Sequence, residues 1–72
     1  MIAPVDWPRL IWDLRQSGVN CVKIGDGSDI DPSLISMYLN KKANPSHSRG
    51  ENLINFWAEE LGRAKSAVPR IA

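Results

Sequence analysis

Apolar residues in this 72-residue chain recur mainly at helical spacing, and each such stretch is preceded by a residue able to cap a helix. Leu10, Ile11 and Leu14 fall at i, i+1 and i+4, which gathers them on one side of a first helix. Asp6 is its N-cap, because the carboxylate can accept from free N–H groups of the opening turn, and Pro8 is tolerated where no N–H is needed. Trp7 belongs on the buried side. The helix stops near residues 16–18, where Ser17 and Gly18 supply the left-handed position common just past a helix end. Arg9, Trp12 and Asp13 point away from the stripe, which leaves Trp12 either as a cover over a neighbouring helix or as a partner contact.

Asn20 can cap a shorter second helix running to about Asp26, with Val22 and Ile24 buried and Cys21 nearby. Gly25 and Gly27 each cost about 1 kcal/mol relative to alanine inside a helix, so this element should be short or dependent on its neighbours. Gly27, Ser28 and Asp29 read as a turn, with Ile30 as an apolar anchor. A third helix then starts at Asp31, an N-cap followed by Pro32 at the first helical position. Its inner face carries Ile35, Tyr38 and Leu39. Its outer face carries Ser33, Ser36, Met37 and Asn40, small and mostly polar, and Lys41 and Lys42 follow at the C-terminal end.

Pro45 biases Asn44 out of the helical region, so residues 43–48 form a loop. Ser48 with Glu51 has capping-box spacing for a last helix, in which Leu53, Ile54, Trp57 and Leu61 form the strongest amphipathic pattern of the chain and Phe56 widens it. Gly62 ends its regular part. Residues 1–5 should be a frayed lead-in, and residues 63–72 a helical turn followed by a loose tail. The fold class is therefore an all-α bundle of four main helices in one domain, its core spanning about residues 6–62.

Composition changes this picture little. A hydrophobic share of 43% and a charged share of 24% are those of a globular domain, and the formal net charge of +1 is nearly neutral. The distribution matters more. Residues 1–31 carry Arg9, Arg15 and Lys23 against five aspartates, whereas residues 32–50 carry Lys41, Lys42 and Arg49 with no acid. A chain this small has only a few kcal/mol of net stability, so a dimer or partner contact would help it. The single cysteine, Cys21, cannot form an internal disulfide, which fits a reducing compartment, cytoplasmic rather than secreted. No apolar run is long enough to span a membrane, and the N-terminus lacks a signal-peptide layout.

Metal and catalytic chemistries find little support. Asp26, Asp29 and Asp31 invite comparison with a calcium loop, but neither register supplies the alternating oxygen ligands and the sixth-position glycine. His47 and Cys21, each the only one of its kind, are too few for a zinc site without added carboxylates and have no nucleophile spacing. The expectation is a non-enzyme with no cofactor, metal or small-molecule substrate.

The capped helix, turn and capped helix of residues 20–40 carry a mechanism. Together with Asp6-Trp7-Pro8, Gly18-Val19-Asn20, Ile24, Ile30-Asp31, Ile35-Ser36, Tyr38-Leu39-Asn40-Lys41-Lys42, Pro45, Gly50 and Leu53-Ile54, this arrangement resembles the small helix-turn-helix proteins of the phage Cro/repressor type. The resemblance covers roughly residues 6–61 and rests on caps, apolar anchors and turn positions.

It implies that the helix starting at Asp31 reads the major groove of double-stranded DNA. Pro32, Ser33, Ser36 and Met37 would face the bases. Asn20, Cys21 and Lys23 would lie near one phosphate strand, and Asn40, Lys41, Lys42, Asn44 and Ser46 near the other. The implied function is a transcriptional regulator acting as a homodimer on operator DNA. The sequence departs from the family at Cys21, where a polar phosphate contact is usual, at Ser28 and Asp29 in the turn, and at Lys41, where glycine is preferred. The acidic turn keeps a second reading open: a protein-interaction module on the same fold, such as an anti-repressor or an inhibitor of a host factor.

Overall fold

The computed structural model describes residues 4–71. It contains α1 (Trp7–Gln16), α2 (Cys21–Ser28), α3 (Pro32–Leu39) and α4 (His47–Leu61), followed by a single 3-10 turn over Lys65–Ala67. α3 packs against α1 and α2, and α4 closes over α2 and α1. The shared core holds Leu10, Ile11 and Leu14 of α1, Ile24 of α2, Ile35 and Tyr38 of α3, and Leu53 and Trp57 of α4. The all-α bundle anticipated from the apolar spacing is the fold observed.

Capping accounts for most of the boundaries. The Asp6 carboxylate accepts from the Arg9 N–H at 3.2 Å, the Asn20 side-chain oxygen from the Lys23 N–H at 2.9 Å, and the Asp31 carboxylate from the Ser33 N–H at 2.9 Å. α1 ends as expected: Gly18 takes φ +90°, and the Val19 N–H reaches back to the Leu14 carbonyl at 3.1 Å. Both side chains of that last pair are buried, the apolar contact that accompanies this type of helix end.

Several expectations are corrected. α2 continues through Gly27 to Ser28, and only Asp29 leaves it, in the left-handed conformation at φ +58°. The Ser28 hydroxyl is buried without penalty because it donates to the Ile24 carbonyl one turn back, at 2.6 Å. Its glycines are packing positions: a Cβ on Gly25 would collide with the Ile30 carbonyl, and one on Gly27 with the Phe56 ring. Val22, expected inside, is 58% exposed. It lies two residues from buried Ile24, about 200° around the helix, on the opposite face.

α4 begins two residues early. Ser46, not Ser48, is the N-cap, its hydroxyl oxygen accepting from the Arg49 N–H at 3.4 Å. Gly50 near the start of α4 is buried along with Leu53 and Trp57, and Trp7 lies over it: a Cβ there would sit 2.9 Å from the Trp7 ring.

The C-terminal segment is not a loose tail. Val68 is buried, Val5 and Arg70 form an antiparallel bridge, and hydrogen bonds of 2.9 Å run from the Asp6 N–H to the Pro69 carbonyl and from the Ile71 N–H to the Pro4 carbonyl. Pro4 and Val5 are thereby held rather than frayed. The rest of the expected lead-in, residues 1–3, and the terminal Ala72 lie outside the described residues. No described helix is long and apolar enough to cross a membrane.

Candidate nucleic-acid interface

The outer face of α3 is the surface that the inner packing leaves over. Ile35 and Tyr38 are buried and Leu39 half-buried, so Ser33, Ser36, Met37 and Asn40 emerge together on the other side, all exposed. Pro32 is the exception among the residues assigned to the bases. It is half-buried, its ring lying against Gly25 of α2, and so belongs as much to the joint between the helices as to the outer face.

Hydrogen bonds fix what each polar group can offer. The Ser33 hydroxyl donates to the Asp31 carboxylate at 2.7 Å, which leaves its oxygen as an acceptor. Ser36 is in the opposite state: its oxygen accepts from the Asn40 side-chain amide at 3.4 Å, and its own proton remains to be donated. The Asp31 carboxyl is held below its ordinary value of 3.8 by the Ser33 hydroxyl and then by the Ser33 N–H, so it remains an anion beside the start of α3.

The C-terminal end of α3 is more unusual. Lys41 adopts φ +61°, and the Lys42 N–H returns to the Met37 carbonyl at 2.9 Å while the Lys41 N–H bonds the Tyr38 carbonyl at 3.3 Å. This is the helix ending that normally carries glycine at the left-handed position. A lysine there carries a steric cost that glycine would not. Among the described residues the ion pairs are Arg9 with Asp13 and Lys23 with Glu60, so neither Lys41 nor Lys42 has a carboxylate within pairing distance. Asn44 and Ser46 follow on the exposed loop, with the Ser46 oxygen engaged in capping α4.

On the α2 side the predicted set is only partly available. The Asn20 oxygen is used as a cap, leaving its NH₂ group as the donor. Cys21 is half-buried and its sulfur accepts from the Arg15 guanidinium at 3.3 Å, which brings a cation beside it. Sequence reasoning missed Arg15, because its partner lies across the loop between α1 and α2. Lys23 spends its charge on Glu60 of α4 at 3.5 Å. Asp26, Asp29 and Asp31 are all exposed along the turn. Among the described residues, no three His, Cys, Asp or Glu side chains come together as a metal site would need.

No family model, curated protein or solved structure matches the chain. The functional reading therefore rests on the residues and their geometry.

Proposed function

We propose that this chain is a small DNA-binding transcriptional regulator of the phage Cro/repressor type, with α3 as its reading helix and a homodimer as its working form. The observation that carries the proposal is the pairing of an exposed Ser33, Ser36 and Met37 face with two unpaired lysines at the helix end, one of them kept where glycine is easier. Lys41, Lys42, the Asn44 amide and the Asn20 amide supply phosphate contacts, and the serines and Met37 supply base contacts.

The hydrogen-bond states sharpen the base contacts. Ser33, an acceptor, suits the exocyclic amino group of adenine or cytosine; Ser36, a donor, suits a purine N7, guanine O6 or thymine O4; Met37 suits a thymine methyl group. With no Arg or Gln on this face, much of the selectivity comes from duplex shape and phosphate geometry. A dimer seated on its operator acts by occlusion, blocking the polymerase.

Selection of bound sequences from random duplexes tests this reading, together with the salt dependence of binding. Two lysines on each of two protomers give a slope of roughly −3.6 in log affinity against log salt, at about −0.9 for each neutralised phosphate. The observation favouring a protein-interaction module instead is the exposed acidic turn beside exposed Val22. Such a module would show no duplex binding even at low salt.

A further inference from the structure

A cavity of about 360 Å³ opens between the bridged terminal segments and the end of α3. Among the described residues its walls are mainly apolar, from Val5, Trp7, Pro8, Tyr38 and Ile71, and its polar side is formed by Asp6, Lys41 and Asn44. Its volume lies near the lower end of the roughly 300–1,000 Å³ typical of small-ligand sites, and this half-open hollow shares their combination of apolar walls with a few polar groups.

Among the described residues the cavity is lined by one cation, Lys41, and one anion, Asp6. Lys41 has no carboxylate within pairing distance among the described residues. Asp6 also lines the cavity, but its carboxylate accepts from the Arg9 N–H and faces the positive end of the α1 dipole. Lys41, in its left-handed backbone conformation, lines the cavity and also borders the more open groove that contains Trp12.

We propose that this cavity binds a small aromatic monoanion, of one ring or a fused pair, with the ring against Trp7, Pro8 and Tyr38 and the carboxylate on Lys41 and the Asn44 amide. The ligand is held, not converted. This site deepens the DNA-binding reading: Lys41 and Asn44 are also proposed phosphate contacts, so an occupied cavity and a bound duplex compete for the same groups, and the ligand acts as an anti-binding effector.

The test is titration of the full chain with 2-naphthoate and with the neutral 2-naphthalenemethanol, followed by amide and indole NMR signals without DNA. Naphthoate shifts signals of Trp7, Tyr38, Lys41, Asn44 and Ile71. Lys41→Gln, which keeps most of the side-chain length, weakens naphthoate about tenfold and leaves the alcohol unchanged. Scattered shifts, equal affinity of naphthoate and the alcohol for the wild-type chain, or unchanged naphthoate affinity in Lys41→Gln overturns the site. A second arm measures wild-type duplex affinity with and without saturating naphthoate. A fall supports competition. An unchanged affinity overturns competition alone, and absent duplex binding overturns the DNA reading, while the NMR arm still decides the site.

Discussion

The Ser33 hydroxyl donates to the Asp31 carboxylate at 2.7 Å, so the group that starts α3 also sets the hydrogen-bonding state of the first serine on its outer face. Folding and the proposed readout meet in that one contact. Replacing Asp31 by alanine removes the cap and frees the Ser33 proton. The midpoint of urea unfolding should fall without a change in slope, and any preference for a base carrying an amino group opposite Ser33 should relax in a bound-sequence selection.

The same contact gives a pH dependence. A carboxyl whose folded value lies below its unfolded one contributes stability that is fully present above the unfolded value and is lost as pH falls through the folded value. Asp31 is such a group, held below 3.8 by the two Ser33 bonds. Its contribution should be constant from neutral pH to about pH 5 and decline below 3.8. Comparing the acid unfolding of wild type and Asp31→Asn by circular dichroism checks this: the decline assigned to Asp31 should be absent in the variant.

Glycine in α2 reverses the usual expectation for helix substitutions. Alanine at Gly25 gains up to about 1 kcal/mol of helix propensity. Its Cβ nevertheless meets the Ile30 carbonyl, a backbone atom that cannot rotate away. Gly25→Ala should therefore destabilise by about 1–3 kcal/mol, the usual cost of overpacking. Gly27→Ala should cost less, because the obstructing Phe56 ring is half-buried and can swing, and Phe56→Leu should recover part of it. Equilibrium denaturation of the single and double variants separates the two cases.

Lys41→Gly should stabilise the fold by about 1 kcal/mol, because φ +61° is costly for lysine and free of steric strain for glycine. On the proposed function it should also weaken duplex binding. A gain in thermal midpoint with a loss of DNA affinity would identify Lys41 as kept for contact rather than for folding.

The terminal pairing predicts that the chain ends contribute to stability. Val68→Ala should cost roughly 2 kcal/mol, given its burial beside the core. Truncation after Ala67 should cost more, since it also removes the bonds to Pro4 and Asp6. Thermal unfolding of both variants measures the difference.

Much of the bundle was legible in the sequence because its signals are local. Asp6, Asn20 and Asp31 each cap the helix they precede, and the spacing of Ile35 and Tyr38 fixed which side of α3 faces out. The misses depend on distant partners. Gly25 and Gly27 read as helix breakers until Ile30 and Phe56 are seen to need their space. Val22 looked buried by residue type, although its position around α2 turns it outward. The bridge between Val5 and Arg70 joins segments at opposite ends of the chain and has no periodic signal. The ion pair between Lys23 and Glu60, which joins α2 to α4, was hidden for the same reason.

The most direct test of the proposed function compares wild type with the double variant Lys41→Glu plus Lys42→Glu in duplex binding at low salt, by fluorescence anisotropy. The proposal predicts measurable wild-type binding that weakens steeply with salt, and a loss of about two orders of magnitude or more in the variant. Wild-type affinity indistinguishable from zero at low salt, or equal affinities of the two proteins, would contradict it.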